Sequence, residues 1–335
     1  VLEHLRALPI SPAPEIFGLH DNADITSAQN ETLALFNNLL LMQPRSSGGG
    51  GRSRDEVVGD WAADILRRVP DAIPLDPVMS KYPTTYDESM NTVLVQEVIR
   101  YNNLTRVMTR TLRELLKALK GLVVLSDSLD RIGTSLFNNQ VPEQWAGVGY
   151  PSLMPLASWV GDLEKRLATL DKWIRDGHPA VYWISGFFFP QAFLTGILQN
   201  YARKTKEPID TVSYGYQVME APHEELREKP EAGCYIRGLF LEGARWDMEA
   251  MALGESRAKE LFVAFPAVWL VPVVAREKPT QGIYNCPVYK TLTRAGTLST
   301  TGHSTNFVLW LEVPSNMAER HWVKRAVALF CALKY

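Results

Sequence analysis

TYDESMNTVLVQEVIRYNNLTRVMTRTLRELLKALKGL, residues 85–122, is the stretch from which the fold can be read. Thr85 and Glu88 stand at the spacing of a helix capping box. Behind them Leu94, Val98, Tyr101, Thr105, Met108, Leu112, Leu115, Leu119 and Leu122 recur at steps of four and three. That period predicts one helix from about residue 86 to about residue 120, spanning about 50 Å at 1.5 Å per residue, with a single apolar seam. A seam of this length needs partners, and the residues that follow supply them. Leu125, Leu129, Ile132 and Leu136 mark a shorter helix stopped by Asn138, Asn139 and Pro142. Leu156, Val160, Leu163, Leu167, Leu170 and Ile174 mark another, ended near Gly177 and Pro179. A fourth starts at Pro190, a residue suited to a first helical turn, and runs through Phe193, Ile197 and Tyr201. From Val57 to about Arg203 the sequence therefore reads as a helical bundle.

On the N-terminal side, two apolar-periodic stretches flank a turn-rich segment, Pro9 to Asp24; the second runs from Ile25 to Leu41 with Thr26 or Ser27 as its cap. RSSGGGGRSRDE, residues 45–56, has no periodicity and reads as a linker. Beyond about residue 232 the period falls to two, or to short solid apolar runs, with strand candidates at 234–241, 245–251, 261–274, 283–291, 306–313 and 324–333. Pro266 and Pro272 in the third imply an edge or a bulge, because proline cannot donate to a ladder. The expected class is α+β: a helical bundle with one long helix, then a small six-stranded antiparallel β-barrel or rolled sheet. The segments are a helical piece at 1–43, the linker at 44–56, helices at 57–219, a charged connection at 220–232 and strands at 233–335.

With 335 residues, 46% hydrophobic and 21% charged, the protein has the means to bury a large core. A net charge of −2 gives no electrostatic footprint for nucleic acid or a membrane surface, and neither is expected as a partner. No apolar run reaches the length of a membrane span, and VLEHLRALP at the start lacks the pattern of a signal peptide. Starting without Met and inside a helical pattern, the sequence reads as an excised piece. Cys234, Cys286 and Cys331 are odd in number and widely spaced, which suits reduced core thiols of an intracellular protein rather than disulfides or a zinc site.

Each motif that could carry chemistry has a plainer reading. Gly48 to Gly51 beside Arg52 and Ser53 lack the lysine, the spacing and the preceding strand of a phosphate loop. His4, His20, His178, His223, His303 and His321 include no i, i+4 pair that would ligate a metal from one helix face. In GHST, residues 302–305, His303 and Ser304 are neighbours, and neighbours on a strand point to opposite faces, so they do not form a nucleophile–base pair. EAPHEELREKPE, residues 220–231, is a solvated charged loop rather than a pocket that would split carboxylate pKa values. FFFP, residues 187–190, reads as an aromatic plug in a helix-to-sheet core more readily than as a pocket lining. No catalytic, cofactor-binding or metal-binding residue is assigned. The competing expectation is an enzyme or small-molecule binder using the barrel mouth or the cleft near Phe187 to Phe189.

Six strings, in order, carry more information: PEIFGLHDNADIT (14–26), FFFPQAFLTGILQNYARK (187–204), LFLEGARWD (239–247), YNCPVYKT (284–291), GHSTNFV (302–308) and HWVKRAVALFC (321–331). Together they resemble the C-terminal region of dynein heavy chains, and CPVYKT and GHSTNFV resemble the axonemal rather than the cytoplasmic forms. The resemblance implies that residues 1–43 close the sixth AAA+ module and that the remainder is the C-terminal domain, lying across one face of the AAA+ ring. It further implies a non-catalytic, regulatory role in an ATP-driven microtubule motor of cilia and flagella, in the axonemal cytoskeleton. ATP and Mg would be handled elsewhere in the parent polypeptide, with no cofactor in this piece. Partners implied are the AAA+ ring of the same heavy chain and, through the parent complex, intermediate and light chains and microtubules. Ala192 and Ala326 depart from the family pattern, in which glycine is expected.

Overall fold

The computed structural model describes residue 6 and residues 13–42, 53–274, 281–294, 296 and 304–334. The helical stretch expected before Pro9, Gly48 to Gly51 with Arg52, His4 and His303 lie outside the described residues. The helices are α1 (Asn22–Met42), α2 (Arg54–Arg68), α3 (Leu75–Lys81), α4 (Ser89–Leu119), α5 (Asp127–Phe137), α6 (Glu143–Ala146), α7 (Leu156–Asp176), α8 (Pro190–Thr205) and α9 (Glu319–Lys324). The strands are β1 (Val181–Trp183), β2 (Val212–Val218), β3 (Cys234–Arg237), β4 (Phe240–Glu242), β5 (Ala244–Asp247), β6 (Ala252–Glu255), β7 (Phe262–Ala264), β8 (Val268–Val274), β9 (Ile283–Tyr289), β10 (Phe307–Pro314) and β11 (Ala328–Phe330). The class is α+β.

The long helix exists and organises the molecule. At 31 residues, α4 spans about 46 Å at 1.5 Å per residue. Seven of the nine seam positions, Leu94, Val98, Tyr101, Thr105, Met108, Leu112 and Leu115, are buried, whereas Leu119 is half-buried and Leu122, past the end of the helix, is 70% exposed. The N-terminal half is buried over a wider arc, through Met90, Val93, Val95 and Glu97. There α8 crosses it so closely that a methyl group on Gly196 would lie 3.2 Å from Val93. Along the rest of its length α2, α3, α5, α6 and α7 pack onto the seam.

The caps differ from the expected ones. Glu88 is itself the N-cap of α4, its carboxylate accepting from the Met90 N–H at 2.9 Å, so Thr85 and Glu88 do not form a capping box. A complete box sits at Ser53 and Glu56: the Glu56 N–H donates to Ser53 Oγ and the Ser53 N–H donates to the Glu56 carboxylate. The end of the expected linker is therefore the first turn of α2. Likewise α1 begins at Asn22 rather than at a Thr26 or Ser27 cap, because the buried Asn22 amide bonds Arg257 O, Glu260 O and Lys259 N of a distant loop.

The sheet part departs further. The strands form a four-stranded sheet β1-β3-β8-β2, a five-stranded sheet β10-β9-β11-β4-β7 and a two-stranded sheet β5-β6. Among the described residues none closes on itself, in place of the expected six-stranded barrel, and a barrel mouth is not formed. Nor is the pairing wholly antiparallel: β1 runs parallel to β3, and β11 parallel to β9. Each parallel pair is joined by a long crossover, through α8 and β2 in one case and β10 and α9 in the other, which local periodicity does not report. β1 and β2 also fall within the span expected to be all helical. Pro266 separates β7 from β8, and Pro272 lies where β8 has run beyond β3 and needs only one neighbour. Cys234, Cys286 and Cys331 are buried and unbonded to one another.

Ala326 has φ 53, the left-handed region. The exchange for the expected glycine keeps the fold and strains it locally, by about 1–2 kcal/mol. Replacing Ala326 by glycine is expected to relieve that strain less the added unfolded-state entropy of about 0.4–1 kcal/mol, for a net gain of about 0.5 kcal/mol. Leu104→Ala, mid-helix and fully buried, should cost about 3 kcal/mol, and Val124→Ala, 89% exposed, less than about 0.5 kcal/mol. Urea midpoints of the three variants check all three values.

Candidate functional site

The helical and sheet layers meet at the segment Ser185 to Phe189, and α4 holds that segment at three points. Glu97 lies one turn before Tyr101 on the inner face of α4 and is only 2% exposed. Its carboxylate accepts from the Phe188 N–H at 2.7 Å, the Phe189 N–H at 3.2 Å and Arg100 Nη1 at 3.1 Å. Tyr101 donates its hydroxyl to the Gly186 carbonyl at 2.6 Å. Proline at the next position, Pro190, then starts α8. Burial lifts the Glu97 carboxyl above its usual range, and the donors from Phe188, Arg100 and Phe189 offset that lift in part.

FFFP serves mainly as the plug. Phe188 meets Tyr101 edge-on with centroids 4.6 Å apart, and Phe187 stacks on Phe193 at 4.5 Å. Phe187 also lines a cleft of about 420 Å³ between α4, α7, β1, β3 and the 220–231 loop, which contributes His223 and Leu226. The charged loop thus closes one side of a pocket. Arg166, 4% exposed on α7, is paired with Asp162 at 2.6 Å and lies 3.8 Å over the Tyr150 ring. Trp183 is held by two glycines: a methyl on Gly186 would sit 2.8 Å, and one on Gly238 2.4 Å, from its indole. Gly238, at φ 95, is in a conformation glycine adopts freely.

Several groups here that could carry chemistry are held neutral by burial. His178 Nδ1 lies 3.2 Å from Tyr182 Oη, yet burial pulls the imidazole below and pushes the phenol above their ordinary values, holding both neutral. Ser185 donates its hydroxyl to the Gly238 carbonyl. Burial pushes the Cys331 thiol up to about 12, so it remains protonated at neutral pH. Of the other histidines, His20 accepts from the Asn22 N–H, His223 sits 3.2 Å from Glu224, and His321 2.6 Å from Glu255. Ser304 caps a turn, accepting from the Asn306 N–H. The described histidines, cysteines and carboxylates include no group of three or more placed to hold a metal ion, and no described helix is long and apolar enough to cross a membrane. Sequence reading missed Glu97, Arg166 and Arg237; only Glu97 had left a signal, a carboxylate set between the seam residues Leu94, Val98 and Tyr101.

Because Glu97 titrates higher folded than unfolded, the folded protein holds an extra proton between those two values. Its stabilisation is complete below the ordinary carboxylate value and is lost as pH rises through the folded one. Glu97→Gln should flatten this component of the stability profile over the range above the ordinary carboxylate value. Glu97→Ala, which leaves the Phe188 and Phe189 amides without acceptors, should cost about 3 kcal/mol. Thermal unfolding across that range checks both.

The family profile for the C-terminal domain of dynein heavy chains matches residues 29–331. Dynein axonemal heavy chain 1 of Homo sapiens is 59% identical over 334 residues, spanning 100% of this sequence and 8% of that protein. Dynein axonemal heavy chain 3 of Homo sapiens is 51% identical over 99% of this sequence and 8% of its own length. Dynein axonemal heavy chain 12 of Homo sapiens is 46% identical over 99% of this sequence and 11% of its own. The protein thus spans about a tenth of the length of these relatives. With the match running over the bundle, the Glu97-held segment and the sheets alike, it belongs to the family of C-terminal domains of dynein heavy chains.

Proposed function

We propose that the protein is the C-terminal part of an axonemal dynein heavy chain, and that it supports and regulates the AAA+ ring of an ATP-driven, microtubule-based motor of cilia and flagella without hydrolysing a substrate itself. In this reading residues 1–43 end the sixth AAA+ module, 44–56 link it, 57–219 are the helical part of the C-terminal domain, 220–232 a charged connection and 233–335 its sheet part. ATP and Mg act in other modules of the heavy chain. The ring of the same polypeptide is the direct partner; intermediate and light chains and microtubules are reached through the complex.

The observation that carries the reading is α4. A 31-residue helix, packed on six other helices and tied to the sheet layer through Glu97 and Tyr101, is a stiff strut. A strut joined at both ends transmits rigid-body displacement between the surfaces it spans. The N-terminal piece is also joined to the sheet part: Asn22 bonds the 257–260 loop, and Arg325 Nη1 donates to the Gly18 carbonyl at 3.2 Å. Movement of the segment bearing α1 therefore reaches the sheets directly.

The test is made in the whole motor. Deleting residues from Ser53 onward should leave most of the basal ATPase while changing processivity, stall force or ring stability in single-motor records. Glu97→Ala should shift the same quantities in the same direction by a smaller amount. Unchanged values of all three in the deletion would sink the regulatory reading.

A further inference from the structure

We propose that the cleft between α7 and β1–β3 is a binding site for a small oxyanion with a flat apolar body, a carboxylate or phosphate seated on Arg237 and the body against Trp173, Tyr182 and Phe187. This goes beyond the motor reading and does not depend on it. The cleft, at about 420 Å³, falls within the roughly 300–1,000 Å³ of small-ligand pockets, which pair apolar walls with a few polar anchors. Its walls are aromatic: Trp173 meets Tyr182 edge-on at 5.3 Å and Phe187 at 6.1 Å.

The anchor is what the rest of the fold leaves over. The lining carries Arg166, Lys172 and Arg237 against Glu97 and Asp176. Arg166 is satisfied by Asp162 and Lys172 by Asp176 at 2.7 Å, while Glu97 is spent on backbone amides and Arg100. Arg237 is half-buried and, among the described residues, has no carboxylate within ion-pair distance; Glu224, the acidic group acting on it, lies beside His223. Its one ring contact among the described residues is Trp183, 5.9 Å away and clamped by Gly186 and Gly238. A partly desolvated guanidinium with no carboxylate in contact is costly, and its planar fork matches an oxyanion through two parallel N–H donors. Burial lowers the Arg237 guanidinium from its ordinary value yet leaves it charged at neutral pH.

Fluorine NMR titration of the 335-residue protein tests the site with 4-fluorophenylacetate, 4-fluorophenyl phosphate and the neutral 2-(4-fluorophenyl)ethanol. The acid, the phosphate or both should bind at least tenfold more tightly than the alcohol, and which of the two is tighter identifies the oxyanion. Arg237→Gln should remove that preference and Arg237→Lys should restore part of it. Thr169→Asp, which adds a negative charge to the opposite wall without touching Arg237, should weaken the acid at least fivefold and leave the alcohol unchanged; it decides the matter should Arg237→Gln fail to fold. Binding of both anions no tighter than that of the alcohol, anion binding indifferent to Thr169→Asp, or no binding of either anion at millimolar concentration would overturn the proposal.

Discussion

Everything at the junction of helices and sheets depends on the buried carboxylate of Glu97. Left alone, a carboxylate in that position would cost several kcal/mol. It is tolerated because three donors converge on it, two of them consecutive backbone amides. Such bonds are directional, so they do more than offset the burial: they set where the Phe187–Phe189 segment crosses α4, and hence where α8 begins. Because α8 packs on α4 on one side and on β2, β8 and β10 on the other, its starting point carries through to the placement of the sheets.

Around that point the core is built from rings and guanidinium groups instead of aliphatic side chains alone. Arg166 over Tyr150, Trp145 stacked near Trp159 at 6.1 Å, and Phe188 wedged against Tyr101 form a continuous wall behind the seam. Flat rings pack tightly in edge-on and offset geometries but meet imperfectly at corners. The cleft lies at such a corner, where α7 ends at Gly177 and the backbone turns into β1. The same tight wall makes α4 a stiff element, since a helix held along most of its apolar seam moves only with its partners.

How much could be read in advance depends on how local the cause is. The helices of residues 89–205 were legible because a 3.6-residue period needs only neighbours in sequence, and Gly177, Asn139 and Pro190 punctuated them where expected. The caps were less legible: Thr85 and Ser53 belong to the same residue class, and only the backbone path shows which one faces free amides. The cleft was nearly invisible, because Arg237, Arg166 and Phe187 come from separate elements and carry no shared spacing.

By itself, then, the sequence determined the helical layer, the α+β order and, through six ordered strings, the family. The tertiary structure alone decided the sheet connectivity and the charge balance at the seam. β1 joins β3 and β11 joins β9 across crossovers of many residues, and strand partners are chosen by which faces the packed helices leave open. Whether an arginine is paired or left over is settled in the same way, by which carboxylates remain once the core has closed.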